Sequence, residues 1–241
     1  MAQHAAALVD QTATVLRPHF RRPEAHRHAA DSLRGLIAEV ERKNGWQLAE
    51  QVGYSHPRGM QCVLDRYGWD PDAVRDDLRR YAVAPFGDPQ GVLVVAATGF
   101  PPQGKHSVGV AGRYCGTLGK IANCQVGVFL GYASPRGQVA LDRALFLPKE
   151  WCADRERCGK AGILAAVAYR TKPALALTLR ERALGAGVPA AWVTGDAVYG
   201  SDGNWSGSSG RASAPRTTLR CGPAGGDAIS RSPKPAINVA A

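Results

Sequence analysis

The sequence predicts an α/β protein in which an all-helical part precedes a mixed β-sheet and a tail without regular structure follows it. Apolar residues recur at helical spacing in the first third of the chain, and the spacing becomes strand-like after the turn residues Gly87–Gly91. No hydrophobic period follows Gly200, where Ser, Gly, Ala, Arg and Pro dominate. These observations predict a basic flexible segment at 1–29, a helical subdomain at 30–86, a sheet domain at 91–200 and a disordered tail at 201–241.

The charge of the chain favours a polyanionic partner. Its 241 residues carry a formal net charge of +10, and 45% of them are hydrophobic, which is enough to bury a sizeable core. Clustered Lys and Arg gain affinity for phosphates by releasing counterions. Charge alone does not separate DNA from RNA or from an acidic membrane surface, but the basic composition favours nucleic acid.

The apolar stretches argue against a secreted or membrane protein. Met1–Ala5 lacks a basic region, and Asp10 interrupts the only nearby stretch that could form a signal core. The runs Val92–Phe100 and Val126–Ala133 are far shorter than the roughly 20 residues of a membrane helix. We therefore expect a cytoplasmic protein without a membrane partner.

Cysteine and histidine patterns give no sign of a metal site. Six cysteines lie at 62, 115, 124, 152, 158 and 221 without a Cys-x-x-Cys pair, which predicts free thiols. His26 and His28 flank Arg27, and a solvated basic segment explains them better than metal binding does. Pro18 and Pro23 prevent one long helix through this part of the chain.

The helical subdomain has the layout of a helix-turn-helix. Asn44-Gly45 interrupts the helical period, Trp46–Val52 forms a short helix, Gly53 marks a turn, and Gly59–Tyr67 forms a second helix. Two interpretations stay open, a DNA-reading element and a plain helical subdomain that packs on the following domain. The first makes Gln47, Arg58 and Gln61 candidate DNA contacts. Asp70 is predicted to cap a further helix that starts at Pro71.

The sheet domain is predicted from five apolar segments. Val92–Ala97 is a short continuous strand, and Gln138–Leu147 alternates with its apolar residues at odd positions. The other strands are expected at Ser107–Tyr114, Cys124–Ala133 and Pro189–Thr194. A helix that starts at Lys172 precedes the last strand and carries Leu175, Leu179, Ala183 and Ala186 on one stripe.

Four segments resemble bacterial insertion-sequence transposases of the DDE superfamily. They are Ala96–Phe100, Gly104–Val110, Asn123–Leu130 and Trp192–Gly200. The resemblance covers roughly residues 30 to 200. It implies a ribonuclease H-like mixed sheet, double-stranded DNA as partner, and Mg²⁺ or Mn²⁺ held by three carboxylates for phosphodiester cleavage and strand transfer.

The resemblance also shows where this chain departs from the family. The first catalytic strand of the family usually ends in Asp-Glu-Thr-Gly-Phe, and here Ala96 and Ala97 replace the two acids. Asp196 matches the second acid and is the expected surviving metal ligand, although it could simply cap the following turn. No glutamate follows Glu181, so the third acid is expected to be missing through a truncated or out-of-frame end.

Three other acids are candidates to replace the missing ligands. Asp142 is expected to pair with Arg143 across strands, and Glu150 and Asp154 are expected to lie in a loop. None of the three is therefore a convincing metal ligand, and we expect weak or absent metal binding.

Basic residues of the strand region form a candidate phosphate-contacting surface. Lys105 and His106 match the family pattern after the first catalytic strand. The other candidates are Arg113, Lys120, Arg136 and Lys149. A solvated charged rim explains any one of them equally well.

Three functions remain open from the sequence. The chain is a transposase-family protein that is inactive in this copy, a DNA-binding module that interferes with an intact relative, or a decayed fragment without function. The first two imply the DNA of element ends as partner, in the bacterial nucleoid. A second copy of the chain or an intact relative would be a further partner.

Overall fold

The computed structural model describes residues 2–102, 106–200 and 216–217. The chain divides into two compact units. The described part of the helical unit comprises residues 2–81, and the described part of the sheet unit begins at Ala82. The division lies inside a helix that runs from Pro71 to Phe86.

The helical unit is helical from its first described residue. Its elements are α1 (Ala2–Leu16), a 3-10 turn (Arg17–His19), α2 (Pro23–Ile37), α3 (Gly45–Gln51), α4 (Arg58–Asp65) and α5 (Pro71–Phe86). Residues 1–29 were expected to be flexible, but the described ones form α1 and the first half of α2 instead. Pro18 lies just after α1 and Pro23 opens α2, as their fixed backbone angles require. Leu16 and Phe20 are buried in the core of this unit, which explains why the segment is ordered.

Polar side chains cap two helices where the sequence predicts breaks. The Asn44 Oδ1 atom accepts hydrogen bonds from the backbone N–H groups of Trp46 and Gln47, each at 3.0 Å. Asp70 Oδ1 accepts from Asp72 N at 2.8 Å and from Ala73 N at 3.1 Å. These two backbone donors lower the pKa of the Asp70 carboxyl group.

His26 and His28 are structural rather than solvated. His28 is buried, and its Nδ1 atom lies 2.8 Å from the hydroxyl oxygen of Tyr67. His26 Nε2 lies 2.7 Å from the carbonyl oxygen of Ala13. Both histidines therefore connect α2 to other parts of the helical unit.

The sheet unit contains six strands and four short or medium helices among its described residues. They are β1 (Val92–Phe100), β2 (Ala111–Cys115), β3 (Lys120–Ser134), β4 (Gly137–Phe146), α6 (Lys149–Ala153), α7 (Arg155–Lys160), α8 (Lys172–Gly185), β5 (Trp192–Gly195), α9 (Ala197–Gly200) and β6 (Arg216–Thr217). β2 starts later than predicted, because Ser107–Val110 form a turn in which Gly109 has a φ of +75°.

The strands form one mixed sheet in the order β2-β3-β1-β5-β6, and β4 pairs with β3. β3 runs antiparallel to the whole of β1, whereas β5 runs parallel to β1 on its other side. An antiparallel set followed by a helix and a parallel strand beside β1 is the arrangement implied by a ribonuclease H-like domain. The predicted α/β fold class is confirmed.

Helix α8 covers one face of the sheet. Leu93 and Val95 of β1 are buried in one core together with Leu179 and Ala183 of α8. These two α8 residues belong to the predicted stripe, whereas Ala186 lies beyond the helix and is exposed. The Thr171 side chain caps α8 by accepting from the backbone N–H of Ala174.

A β-bulge in β4 changes which residues face the core. Leu130 pairs with Asp142 and Gly131 pairs with Ala140, so Leu141 is an extra residue on β4. The predicted alternation at odd positions holds up to Leu141 and fails at Leu145, whereas Leu147, just after the strand, is buried in another cluster. As a result Asp142 is buried, while Leu145 is 44% exposed.

Two segments that were expected to lack regular structure contain short helices or strands. Glu150 was expected to lie in a loop, but it belongs to α6, which begins at Lys149, and the Trp151 side chain is buried, with its Nε1–H donating to Val110 O at 2.8 Å. The predicted disorder of 201–241 lies outside the described residues, apart from Arg216–Thr217. These two residues pair in parallel with Trp192 and Val193.

The five described cysteines are free thiols, and Cys221 lies outside the described residues. No described helix has the length and apolar character needed to span a bilayer.

Candidate active site and basic surface

The adjacent ends of β1 and β5 bring two sequence-predicted positions together. The parallel register runs from Val92 opposite Trp192 to Val95 opposite Gly195. The next residues along the two strands are Ala96 and Asp196. Paired strands lie about 4.8 Å apart, so these two positions are neighbours at the end of the β1–β5 pair.

Both positions are open to solvent. Side chains alternate along a strand, so Ala96 points away from the face on which Leu93 and Val95 pack against α8. Ala96 and Asp196 are both exposed, whereas Ala97 packs against the core. A polar ligand could therefore reach position 96 and the Asp196 carboxylate from the same side.

Asp196 also has a structural role. Its Oδ1 atom accepts a hydrogen bond from the backbone N–H of Val198 at 2.9 Å, and its carbonyl oxygen accepts one from Tyr199 N at 3.1 Å. The buried Tyr199 ring packs against Gly195. Burial, and to a lesser extent the Asp196 charge, raises the pKa of the Tyr199 hydroxyl. Asp196 thus caps the turn into α9 through one oxygen, and its other oxygen makes no hydrogen bond to the described residues.

Two of the predicted basic residues belong to one cluster around a pair of aromatic rings. The rings of Phe146 and Tyr169 meet edge to face, with centroids 6.3 Å apart. The Arg113 guanidinium lies 5.4 Å from the Phe146 centroid, and Lys149 Nζ lies 5.1 Å from that of Tyr169. Lys172 Nζ completes the cluster at 5.7 Å from the Phe146 centroid.

Lys172 is a basic residue that was not among the predicted phosphate contacts. Its position at the start of α8 was recognised, but Phe146 lies 26 residues earlier in the chain, and no local pattern shows that they meet. Glu150 is the acid beside this cluster. It is exposed and lies 3.4 Å from Arg113, so it offsets little of the positive charge of the cluster. The cluster therefore presents a positive surface on the sheet unit.

The remaining predicted basic residues of the sheet unit are dispersed. Lys120 starts β3, whereas Arg136 lies in the turn after it, roughly 45 Å away along a 15-residue strand. The Arg136 guanidinium reaches the Pro85 carbonyl oxygen at 3.4 Å. His106 is exposed and lines a small cleft with Arg157 and Lys160. Lys105 lies outside the described residues.

The predicted helix-turn-helix residues differ in accessibility. Arg58 and Gln61 are exposed on α4, while Met60 and Val63 of the same helix are buried. Gln47 is half-buried, and its Oε1 atom is buried without a hydrogen bond to the described residues. Of the three, Arg58 and Gln61 are placed where a ligand of α4 could reach them.

Comparison with known proteins identifies the family. A family model of DDE superfamily endonucleases matches residues 15–221. The chain belongs to the DDE superfamily endonucleases. It is also 28% identical over 174 residues to a probable transposase for insertion sequence element IS701 from Microchaete diplosiphon. The aligned region covers 70% of this chain and 42% of that protein. The chain thus spans less than half of that relative's length. No solved structure gives a significant match.

The DDE family uses divalent metal ions. The side chains at the described ends of β1 and β5 do not fit a site for two such ions. A methyl group stands at position 96, a second one stands at position 97, and Asp196 supplies a single carboxylate. Among the described residues no group of three or more His, Cys, Asp and Glu side chains could hold a metal ion. Mg²⁺ and Mn²⁺ require several oxygen ligands, which this part of the DDE domain does not provide.

The three acids considered as substitutes have other partners. Asp142 lies 3.3 Å from the Arg182 guanidinium and 3.9 Å from that of Arg143, so the predicted Arg143 pairing is the weaker of the two. Glu150 pairs with Arg113, and the Asp154 side chain caps α7 by accepting from Arg157 N at 2.9 Å. None of them lies at the ends of β1 and β5.

Proposed function

We propose that this chain is a DNA-binding transposase-family protein whose cleavage site is impaired at position 96. The observation that carries the proposal is the placement of Ala96 beside Asp196, at the position where the DDE family is expected to hold its first acid. In this proposal Asp196 keeps one metal-ligand position of the family, and Ala96 marks a position where the ligand has been lost.

Ligand chemistry explains why the loss matters. In two-metal phosphodiester cleavage, bound ions supply an activated nucleophile and stabilise the leaving oxygen. The protein must offset the charge of these ions with carboxylates on neighbouring elements. In this chain one carboxylate faces a methyl group across the β1–β5 pair, so the described residues lack the charge and the oxygen ligands that cleavage needs.

The distribution of charge supports retained DNA binding. Residues 1–81 carry 12 Lys and Arg against 11 Asp and Glu, whereas residues 82–224 of the sheet unit carry 16 against 8. Most of the net positive charge therefore belongs to the sheet unit, where Arg113, Lys149 and Lys172 converge. Phosphate contacts of this kind position a protein on duplex DNA and do not depend on metal ions.

Loss of an acid together with retention of a basic surface also supports a second candidate function. A chain that binds element ends without cutting them would compete with an intact transposase for those ends. This function would be tested by adding the chain to a transposition reaction of an active relative. Unchanged transposition at saturating DNA occupancy would exclude it.

The primary test is metal-dependent nicking of supercoiled plasmid DNA. We expect no nicking above background in Mg²⁺ or Mn²⁺, and the same result for the Asp196→Ala variant. DNA binding is measured on the same samples, so that inactivity is not confused with failure to bind. Robust nicking that disappears in Asp196→Ala would show that the site is complete and would overturn the proposal.

A further inference from the structure

The helical unit contains a cleft of about 790 Å³ that none of the predicted DNA contacts lines. It lies between the start of α2 with the preceding turn and the segment that follows α4. The side chains that matter for its chemistry are His19, Arg21, Arg22, Arg66, Trp69 and Asp70.

Three arginines give the cleft its charge. Arg21 and Arg22 are exposed, and neither has an ion pair with a described residue. Arg22 is the residue before α2, yet its side chain makes no capping hydrogen bond. The carboxylate nearest to Arg66 is that of Asp65, at 4.0 Å and largely exposed, which is a weak interaction.

Asp70, the acid that lines the cleft, keeps its negative charge but forms no ion pair with the three arginines. Asp70 accepts two backbone hydrogen bonds at the start of α5. His19 Nε2 lies 2.7 Å from Asp77 Oδ2, so this histidine is also held by an acid of the same unit. The three guanidinium groups therefore remain available to an anionic ligand.

The charge is concentrated in the cleft rather than spread over the helical unit. Residues 1–81 of the unit are almost neutral in sum, because their 12 Lys and Arg are balanced by 11 Asp and Glu. Three arginines and one acid line this cleft, which leaves the rest of these residues with a slight negative excess. A general solvated charged surface would not concentrate one sign in this way.

The walls of the cleft are fixed by contacts inside the unit. The Trp69 Nε1–H group donates to the Val63 carbonyl oxygen at 2.7 Å, and the Trp69 and Phe20 ring centroids lie 6.0 Å apart. The Tyr67 hydroxyl is held by His28. Arginines on a fixed frame lose less conformational entropy when they bind than arginines on a mobile segment do.

We infer that this cleft binds backbone phosphates of duplex DNA through Arg21, Arg22 and Arg66. The inference rests on the proposed DNA-binding function and assigns the helical unit a phosphate anchor that the predicted contacts do not include. The planar guanidinium group donates two parallel hydrogen bonds to phosphate oxygens, which suits it to this ligand. Phosphate contacts set the position of a protein on DNA, and α4 ends only one residue before Arg66.

The test compares two pairs of neutralised residues in the full chain. One variant combines Arg21→Gln with Arg22→Gln in the cleft, and its matched control combines Arg42→Gln with Lys43→Gln, an adjacent basic pair of the same unit outside the cleft. Affinity for a fluorescent duplex is measured at several salt concentrations. Each lost phosphate contact should reduce the slope of log affinity against log salt by about 0.9.

The expected result is a slope reduced by about 1.8 in the cleft pair and by clearly less in the control pair. Adding Arg66→Gln should remove a further contact. Melting temperatures of all variants show whether they remain folded. If the unmodified chain binds duplex with salt dependence and the two pairs behave alike, the cleft assignment is overturned while the proposed DNA binding stands.

Two further outcomes separate the sources of phosphate. Failure of the unmodified chain to bind duplex at low salt would contradict the proposed function itself. Inorganic phosphate is titrated against the chain and the cleft variant by calorimetry. Saturable phosphate binding that the variant loses, together with an unchanged DNA slope, would make the cleft a small-anion site and overturn its assignment to DNA.

Discussion

At position 96 a single methyl group decides what the strand ends can bind. The backbone of β1 is intact there, pairing with Phe129 of β3 on one side and leading directly past Asp196 on the other. Only the side chain is unsuited to a cation. The defect should therefore be partly reversible by one substitution that adds a carboxylate without disturbing the sheet.

We predict that Ala96→Asp raises the affinity for Mn²⁺ roughly tenfold or more, because two carboxylates on neighbouring strand ends can share an ion. Position 96 is exposed, so the new charge stays hydrated and the fold should tolerate it. Calorimetric titration with Mn²⁺ measures the change. The gain should vanish when Asp196→Ala is added.

Ala97→Asp is the matched control for this experiment. It adds the same charge one residue along β1, but position 97 packs against the core. This variant should lose stability and gain no Mn²⁺ affinity, since the side chain faces the other side of the sheet. Equal Mn²⁺ gains in both variants would contradict the placement of the site at the strand ends.

At the scale of elements, the β-bulge in β4 is the feature with the largest consequence for the core. It leaves Leu141 3% exposed and Leu145 44% exposed, although both leucines occupy odd positions of one apparent strand. It also buries the Asp142 carboxylate beside Arg182 of α8. The alternation of the sequence alone would place both leucines in the core.

The bulge predicts different costs for two identical substitutions. Leu141→Ala should lower the free energy of unfolding by about 2–4 kcal/mol, because it opens a cavity in a packed core. Leu145→Ala should cost less than about 1 kcal/mol, since its side chain already contacts water. Urea unfolding of both variants measures the difference. Equal costs would mean that β4 pairs without the bulge.

Local signals explain which elements the sequence could predict. Asn44 and Asp70 cap their helices through side chains that act on the next few residues, so a short window contains the whole cause. The placement of Ala96 and Asp196 on adjacent strand ends was expected from the family resemblance, because no short window contains both residues. Burial of His28 depends on Tyr67, which lies 39 residues away, and no window of that kind contains both.

The candidate site divides in the same way. Position 96 and Asp196 could be found because each lies at the end of an apolar strand with a recognisable motif. The cluster around Phe146 could be found only in part, because Lys172 reaches it through the packing of α8 on the sheet. The arginines of the helical cleft were missed because three residues from two distant segments share it only after folding.

At the scale of the whole molecule, the two units contribute unequally to the field that a polyanion would meet. Residues 82–224 of the sheet unit carry an excess of eight positive charges, while residues 1–81 carry an excess of one. Long-range attraction of DNA should therefore act mainly on the sheet unit. The helical unit would then contribute through localised contacts such as the arginine cleft.

The last prediction follows from this division of charge and concerns the binding of the complete chain. With about six phosphate contacts from both units, affinity for duplex DNA should fall roughly 10³-fold between 50 and 200 mM salt. Vesicles that contain phosphatidylserine serve as the control polyanion, since net charge alone would also favour them. Vesicle binding should be weaker than DNA binding at the same salt concentration, because duplex DNA carries one negative charge per about 1.7 Å of its axis. Fluorescence anisotropy for the duplex and co-sedimentation for the vesicles provide the two measurements. Salt-independent DNA binding, or a preference for vesicles, would show that the positive charge does not act on a phosphodiester backbone.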